Sequence, residues 1–324
     1  MRKQTCLSTR LSASKSGRFQ IQGLKALKKP LLKFIILHMK NNIVLGLIQM
    51  SMSSDPEENI RKAVRMIHEA SERGAQIVCL PELFTALYFP REEKIDASGL
   101  AETIPGKTTD ILSKAAKDNN VVLVGGSLFE EEGGKYYNTS VVFDESGKII
   151  GKYRKMHIPH DPFFYEKDYF EESMDGFKVF HTKYGAIGVL ICYDQWFPEA
   201  ARINTLMGAD VIFYPTAIGV PEGNAQEEGN WQEAWTVVQR GHAVANSVVV
   251  AAVNRVGKEG NMNFFGGSFV SDQFGKVLSQ GGDKEKIILA EIDMNLSKQV
   301  REGWRFFQNR RPESYNKLIE NDRK

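Results

Sequence analysis

Three side chains in this sequence stand where chemistry could be done. Cys192 follows the apolar run Gly188-Val189-Leu190-Ile191 and precedes Asp194-Gln195-Trp196-Phe197-Pro198, which opens a helix. A cysteine at a strand-to-helix turn sits at the strand's carboxyl end, near backbone N–H groups that lack helical partners. Such groups favour a thiolate and can donate to an oxyanion, and the N–H of Tyr193 is the best placed. Glu82 ends the apolar run Ile77-Val78-Cys79-Leu80-Pro81. An acid there can act as general base for a thiol. Lys155, in Tyr153-Arg154-Lys155-Met156-His157, follows another strand. Its ammonium could stabilise an oxyanion and hold the cysteine's pKa down. Each residue also has an ordinary reading. A free cysteine is usually a small buried hydrophobe, the role expected of Cys79 inside its strand. Glu82 could cap a helix, and Lys155 could be a solvated charge.

Competing catalytic sets are poorly supported. No caspase-like or papain-like signature surrounds Cys192. His157 and His160 follow Lys155 and are expected to position that segment, and His242 falls on a predicted helix as a satisfied core histidine. There is no Walker loop, no GxGxxG after a strand and no GxSxG elbow. Gly125-Gly126 and Gly266-Gly267 lack a phosphate-loop context and suggest close backbone packing. No His, Cys and Asp cluster has zinc-ligand spacing. Neither a metal nor a cofactor is expected.

The elements that must hold these residues alternate between strand and helix. Residues 43–50, 76–80, 121–125, 140–143, 148–153, 186–191, 211–214, 248–253, 267–271 and 287–292 read as strands. Residues 56–73, 108–117, 198–207 and 231–246 carry helical spacing. The first of these helices shows Ile60, Ala63, Val64, Ile67 and Ala70 on one face, with Asp55-Pro56 as its start signal. Many strands are continuous apolar runs, as when both faces are covered, so the fold class is α/β with layered sheets and helices. Residues 215–230 read as a long loop.

The chain has 324 residues and 42% hydrophobic content, enough for one large domain. No shift in composition divides residues 41–324, which are expected to form a single domain. Residues 1–40 contain ten Lys or Arg and no acid. That extension resembles an organelle presequence, but the favoured reading is upstream sequence ahead of a true start at Met39. Without it the body carries an excess of acids, which argues against a nucleic-acid partner. Three cysteines, with no CxxC pair, suit a reducing compartment, and a cytoplasmic location is expected. The apolar stretch 34–37 is too short to span a membrane.

Taken together, LPELF with Glu82, YRKMHIP with Lys155 and GVLICYDQWFPEAAR with Cys192 resemble the nitrilase superfamily of carbon–nitrogen hydrolases. The likeness covers residues 43–315, and three motifs in the family's order outweigh the ordinary readings. The resemblance implies a four-layer αββα sandwich and a homo-oligomer acting on a small molecule. It implies that Glu82 deprotonates Cys192, that Lys155 and the Tyr193 N–H hold the oxyanion, and that Glu166 assists. Family members that act on N-carbamoyl amino acids typically place arginine just after the nucleophile. Here Tyr193-Asp194-Gln195 offers no base, and acids are instead plentiful in the long loop, at Glu222, Glu227 and Glu228. With Tyr88, Phe164, Tyr193 and Trp196 as binding residues, a cationic amine is the expected guest. A β-ureidopropionase, an aliphatic amidase or a non-catalytic scaffold of the same fold stays open.

Overall fold

The computed structural model describes residues 42–223 and 229–320. The basic extension, with Cys6, and the acids Glu227 and Glu228 lie outside the described residues. Residues from Asn42 onward form two large sheets packed face to face, each covered by helices on its outer side.

The first sheet begins with β1 (Asn42–Gln49), β2 (Ile77–Cys79) and β3 (Val122–Val124), paired in parallel. It continues through the antiparallel strands β4 (Leu128–Glu132), β5 (Lys135–Phe143) and β6 (Ile149–Arg154). Helices α1 (Pro56–Glu72) and α2 (Lys107–Asn119) cover its outer face. The period of two along each strand sorts the side chains. Ile43, Leu45, Leu47, Ile77, Cys79, Val122 and Val124 enter the core between the sheets. Ile48, Val78 and Leu123 turn outward to meet Ile60, Ala63, Ile67 and Leu112 of the helices. Helix α1 starts where expected because the Asp55 carboxylate accepts the Glu57 N–H at 2.9 Å and Pro56 needs no donor partner.

The second sheet contains β7 (Val179–Thr182), β8 (Gly185–Val189) and β9 (Val211–Thr216). Helices α3 (Pro198–Leu206) and α4 (Trp231–Asn246) pack on it. A short strand, β10 (Gly219–Pro221), follows β9. Then come β11 (Val249–Asn254), β12 (Val256–Glu259), β13 (Met262–Phe265), β14 (Phe269–Ser271) and β15 (Val277–Gln280). Strands β10, β13 and β12 form a separate small sheet. The final strand, β16 (Lys286–Asp293), pairs antiparallel with β1 and precedes α5 (Met294–Trp304). The αββα architecture is therefore the one the resemblance implied.

One expectation is corrected. The loop placed at 215–230 contains the end of β9 and all of β10. A three-residue strand is too short to display a period. Strand β4 escaped notice because its sequence, Leu-Phe-Glu-Glu-Glu, reads as a charged surface. Glu130 is nonetheless fully buried, held by Arg154 at 2.8 Å and 2.9 Å and by Lys152 and Thr139. No described helix is long and apolar enough to cross a membrane.

Candidate active site

Glu82, Lys155, Glu166 and Cys192 come from four separate segments and are all buried together. Glu82 lies three residues past β2, and Lys155 directly follows β6. Cys192 begins the 3-10 turn Cys192–Trp196 after β8, and Glu166 begins the 3-10 turn Glu166–Asp168. The Lys155 ammonium donates to Glu82 Oε1 at 2.9 Å and to Glu166 Oε2 at 2.6 Å. Tyr88 donates its hydroxyl to Glu166 Oε1 at 2.7 Å, and Asn138 donates its amide to Glu82 Oε1 at 2.8 Å. Glu82 Oε2 is buried with no hydrogen-bond partner among the described residues, so it is the oxygen with capacity for a proton.

The backbone is bent at both reactive ends. Cys192 has φ +44° and Leu83, next to Glu82, has φ +46°. Left-handed backbone costs a non-glycine residue roughly 1–2 kcal/mol, so neighbouring bonds must hold it. At Cys192 this falls to Asp194. Its carboxylate accepts the Ile191 N–H at 2.8 Å, the Tyr153 hydroxyl at 2.8 Å and the His157 N–H at 3.1 Å. The His157 ring adds Nδ1 at 2.6 Å and stacks on Phe197 at 3.7 Å. The turn that carries Cys192 is thereby tied to the segment that carries Lys155. At Glu82 the clamp is the fully buried Arg255, which donates to the carbonyls of Glu82 (2.7 Å), Leu83 (2.9 Å) and Ala86 (3.2 Å). Glu259 balances it at 2.8 Å and accepts the Tyr88 N–H at 2.6 Å. Gly126 allows the chain to press against this loop. A Cβ there would stand 2.1 Å from the Pro81 carbonyl oxygen, and its φ is +61°.

The carbon-nitrogen hydrolase family profile matches residues 44–302. This chain belongs to the carbon–nitrogen hydrolase family. The chain is 40% identical to N-carbamoylputrescine amidase of Solanum lycopersicum, with 86% of this chain and 96% of that protein covered. It is 37% identical to citrullinase of Francisella tularensis over 86% of this chain and 98% of that one. A solved carbon–nitrogen hydrolase from Helicobacter pylori superimposes with TM-score 0.83 at 39% identity, covering 86% of this chain and 99% of that chain.

The electrostatics of the hydrolase site differ from the sequence expectation in one respect. Burial alone would lower the Lys155 ammonium's pKa, but the Glu166 and Glu82 carboxylates outweigh it and raise it above the ordinary lysine range. Lys155 is a fixed cation. Lys155 was expected to hold the cysteine's pKa down, and its charge does act in that direction. However, burial pushes the Cys192 thiol well up, the Glu82 carboxylate pushes it further, and Lys155 offsets only part. These influences favour the thiol form of Cys192. Burial and Glu166 likewise raise Tyr88, which stays a phenol donor. Burial lowers His242, which donates Nε2–H to the Gln195 carbonyl at 2.8 Å as a satisfied core residue.

Burial raises the Glu166 carboxyl to about 7, against the opposing pull of Lys155. A group raised above its unfolded value lends stability that is full below about pH 4.3 and is lost as pH climbs through the folded value. Glu166→Gln removes that loss. Between about pH 5 and pH 7 the variant's melting temperature should therefore rise relative to the parent protein. A difference that stays flat or falls across this window would show that Glu166 is ionised throughout.

Cys192 opens onto a cavity of about 800 Å³. Tyr193 and Trp196 line it, together with Phe164, Trp231, Asp161 and Glu222. Tyr88 does not line this cavity. It is fully buried, and its hydroxyl is committed to Glu166. Among the described residues no group of three or more His, Cys, Asp or Glu could hold a metal ion. Asn138, Asp194, Arg255 and Glu259 had no assigned role from sequence. Arg255, directly after the apolar run of β11, carried the only visible signal.

Proposed function

We propose that this hydrolase converts N-carbamoylputrescine and water to putrescine, carbon dioxide and ammonia, a step in polyamine biosynthesis. The observation that carries the reading is the charge of the cavity. Its described lining includes Asp161 and Glu222 and no Lys, Arg or His. Its aromatic walls (Phe163, Phe164, Tyr193, Trp196 and Trp231) suit an alkyl chain ending in an ammonium. The likeness to the tomato amidase supports the same substrate.

In this reading Glu82 Oε2 takes the Cys192 thiol proton as Sγ attacks the ureido carbon. The oxyanion that forms meets the Lys155 ammonium and the Tyr193 N–H. Glu82 returns the proton to the departing nitrogen, and the carbon–nitrogen bond breaks to leave a carbamoyl thioester. Water, deprotonated by the same carboxylate, then frees Cys192. The carbamic acid released falls apart to carbon dioxide and an amine. A ureido carbonyl is a weak electrophile, so both a strong nucleophile and a fixed oxyanion site are required.

The distal end decides between relatives. Citrulline is N-carbamoylputrescine with one added carboxylate, and N-carbamoyl-β-alanine ends in a carboxylate alone. Either would bring that charge to a cavity with acids and no arginine to meet it. Like-charge placement of that kind supports a preference of roughly a hundred-fold or more for the amine. Steady-state kcat/KM on the three ureides tests the proposal. Equal or faster hydrolysis of either carboxylated compound would refute the amine reading.

A further inference from the structure

We infer that Asp161 is the counter-ion that receives the substrate's distal ammonium and sets the preference for amines, an inference that rests on the amine reading above. Two acids line the catalytic cavity among the described residues, and they are not equivalent. Glu222 is already matched, because Lys258 reaches its Oε1 at 2.5 Å. The Asp161 side chain has no cation and no hydrogen-bond donor among the described residues. Among the described residues its charge is therefore the one in the cavity wall without compensation.

The backbone fixes where that charge stands. Asp161 and Phe164 exchange two main-chain bonds: the Phe164 N–H donates to the Asp161 carbonyl at 2.8 Å, and the Asp161 N–H donates back at 3.3 Å. Phe163 closes this turn with φ +68°. The Tyr165 N–H then anchors the chain to the Pro90 carbonyl at 2.8 Å, and Glu166 follows at once. One short loop thus carries the buried glutamate at the reacting end and a free carboxylate at the open end. Asp161 also acts on the residue beside the nucleophile. Burial raises the Tyr193 hydroxyl first and the Asp161 charge raises it further, and both residues line the cavity.

Aromatic side chains complete the receptor. Phe164 and Trp231 have ring centroids 6.5 Å apart, and both line the cavity. A carboxylate beside aromatic faces attracts an ammonium by ion pairing and by the ring quadrupoles together. Asp161 is exposed in the free protein, so its charge is screened until a substrate chain displaces water. The contribution should therefore be near tenfold rather than a thousand-fold.

The test compares N-carbamoylputrescine with n-pentylurea, in which a methyl group replaces the ammonium, in the wild-type protein and in Asp161→Asn. Wild type should favour the amine by at least about tenfold in kcat/KM. Asp161→Asn should cut that ratio to within about threefold, mainly through KM for the amine. A second variant, Asp161→Glu, should restore much of the ratio. A ratio in Asp161→Asn equal to wild type would overturn the assignment and point to another acid. An equal fall for both ureides would overturn it too, since the residue would then act through folding. If wild type itself shows no amine preference, the substrate reading fails first, and that result is separate from any made with the variant.

Discussion

Cys192→Ala is expected to abolish turnover, by at least about a thousand-fold, in a protein that still folds. The loss follows from the covalent role. Cys192 is a buried residue in the cavity lining, and its thiol lies within the influence of both Glu82 and Lys155. The fold should survive because alanine meets the same left-handed backbone as cysteine, so the strain at φ +44° is unchanged. Removing one sulfur from a mostly buried position costs about 1 kcal/mol, a small fraction of a domain's stability. Ammonia release and thermal denaturation, measured on one preparation, check both halves. Activity within tenfold of wild type would mean that another residue attacks.

The residues proposed to carry the reaction were legible because each ends an apolar run within a local motif. Glu82, Lys155 and Cys192 stand just beyond strands, where a side chain leaves the core, and the order of their motifs pointed to a family. Helix α4 was read at its true bounds, Trp231–Asn246, because Asn230 caps it and its period is clear. What stayed hidden depends on contacts distant in sequence. Arg255 grips carbonyls of Glu82 and Leu83 from 173 and 172 residues away, and nothing local announces that a buried cation will be satisfied by main chain. Asp194 lies within the nucleophile motif, yet its work is done on Tyr153 and His157. Strand β4 looked like surface until Arg154 and Lys152 were placed against Glu130. The rise of the Cys192 pKa stayed hidden for the same reason. From sequence, Lys155 and backbone donors argue for thiolate. The opposing influences, enclosure and the nearness of Glu82, appear only once the layers are assembled.

Lys155→Met is expected to lower turnover by about a thousand-fold or more and also to destabilise the protein, and the two effects can be separated. Lys155 is the cation that bridges Glu82 and Glu166, at 2.9 Å and 2.6 Å, and all three side chains are fully buried. Methionine keeps the volume and removes the charge. Two buried carboxylates then face one another without compensation, and breaking such an arrangement typically costs about 3–5 kcal/mol. Glu166, already raised to about 7 by burial, loses the influence that holds it down and rises further. A carboxyl raised in the folded state lends stability at low pH that disappears as pH climbs through its folded value. The deficit in melting temperature should therefore be smaller near pH 5 than near pH 8. Adding Glu166→Gln removes one of the two opposed charges and should recover much of the lost stability. It should not recover turnover, because the oxyanion still lacks its ammonium. Alkylation of Cys192 should proceed in both variants, more slowly than in wild type. If the single variant melts like wild type at both pH values, the carboxylates are not held by Lys155. If the double variant regains turnover, the lysine acts only in folding, and its role at the oxyanion is refuted.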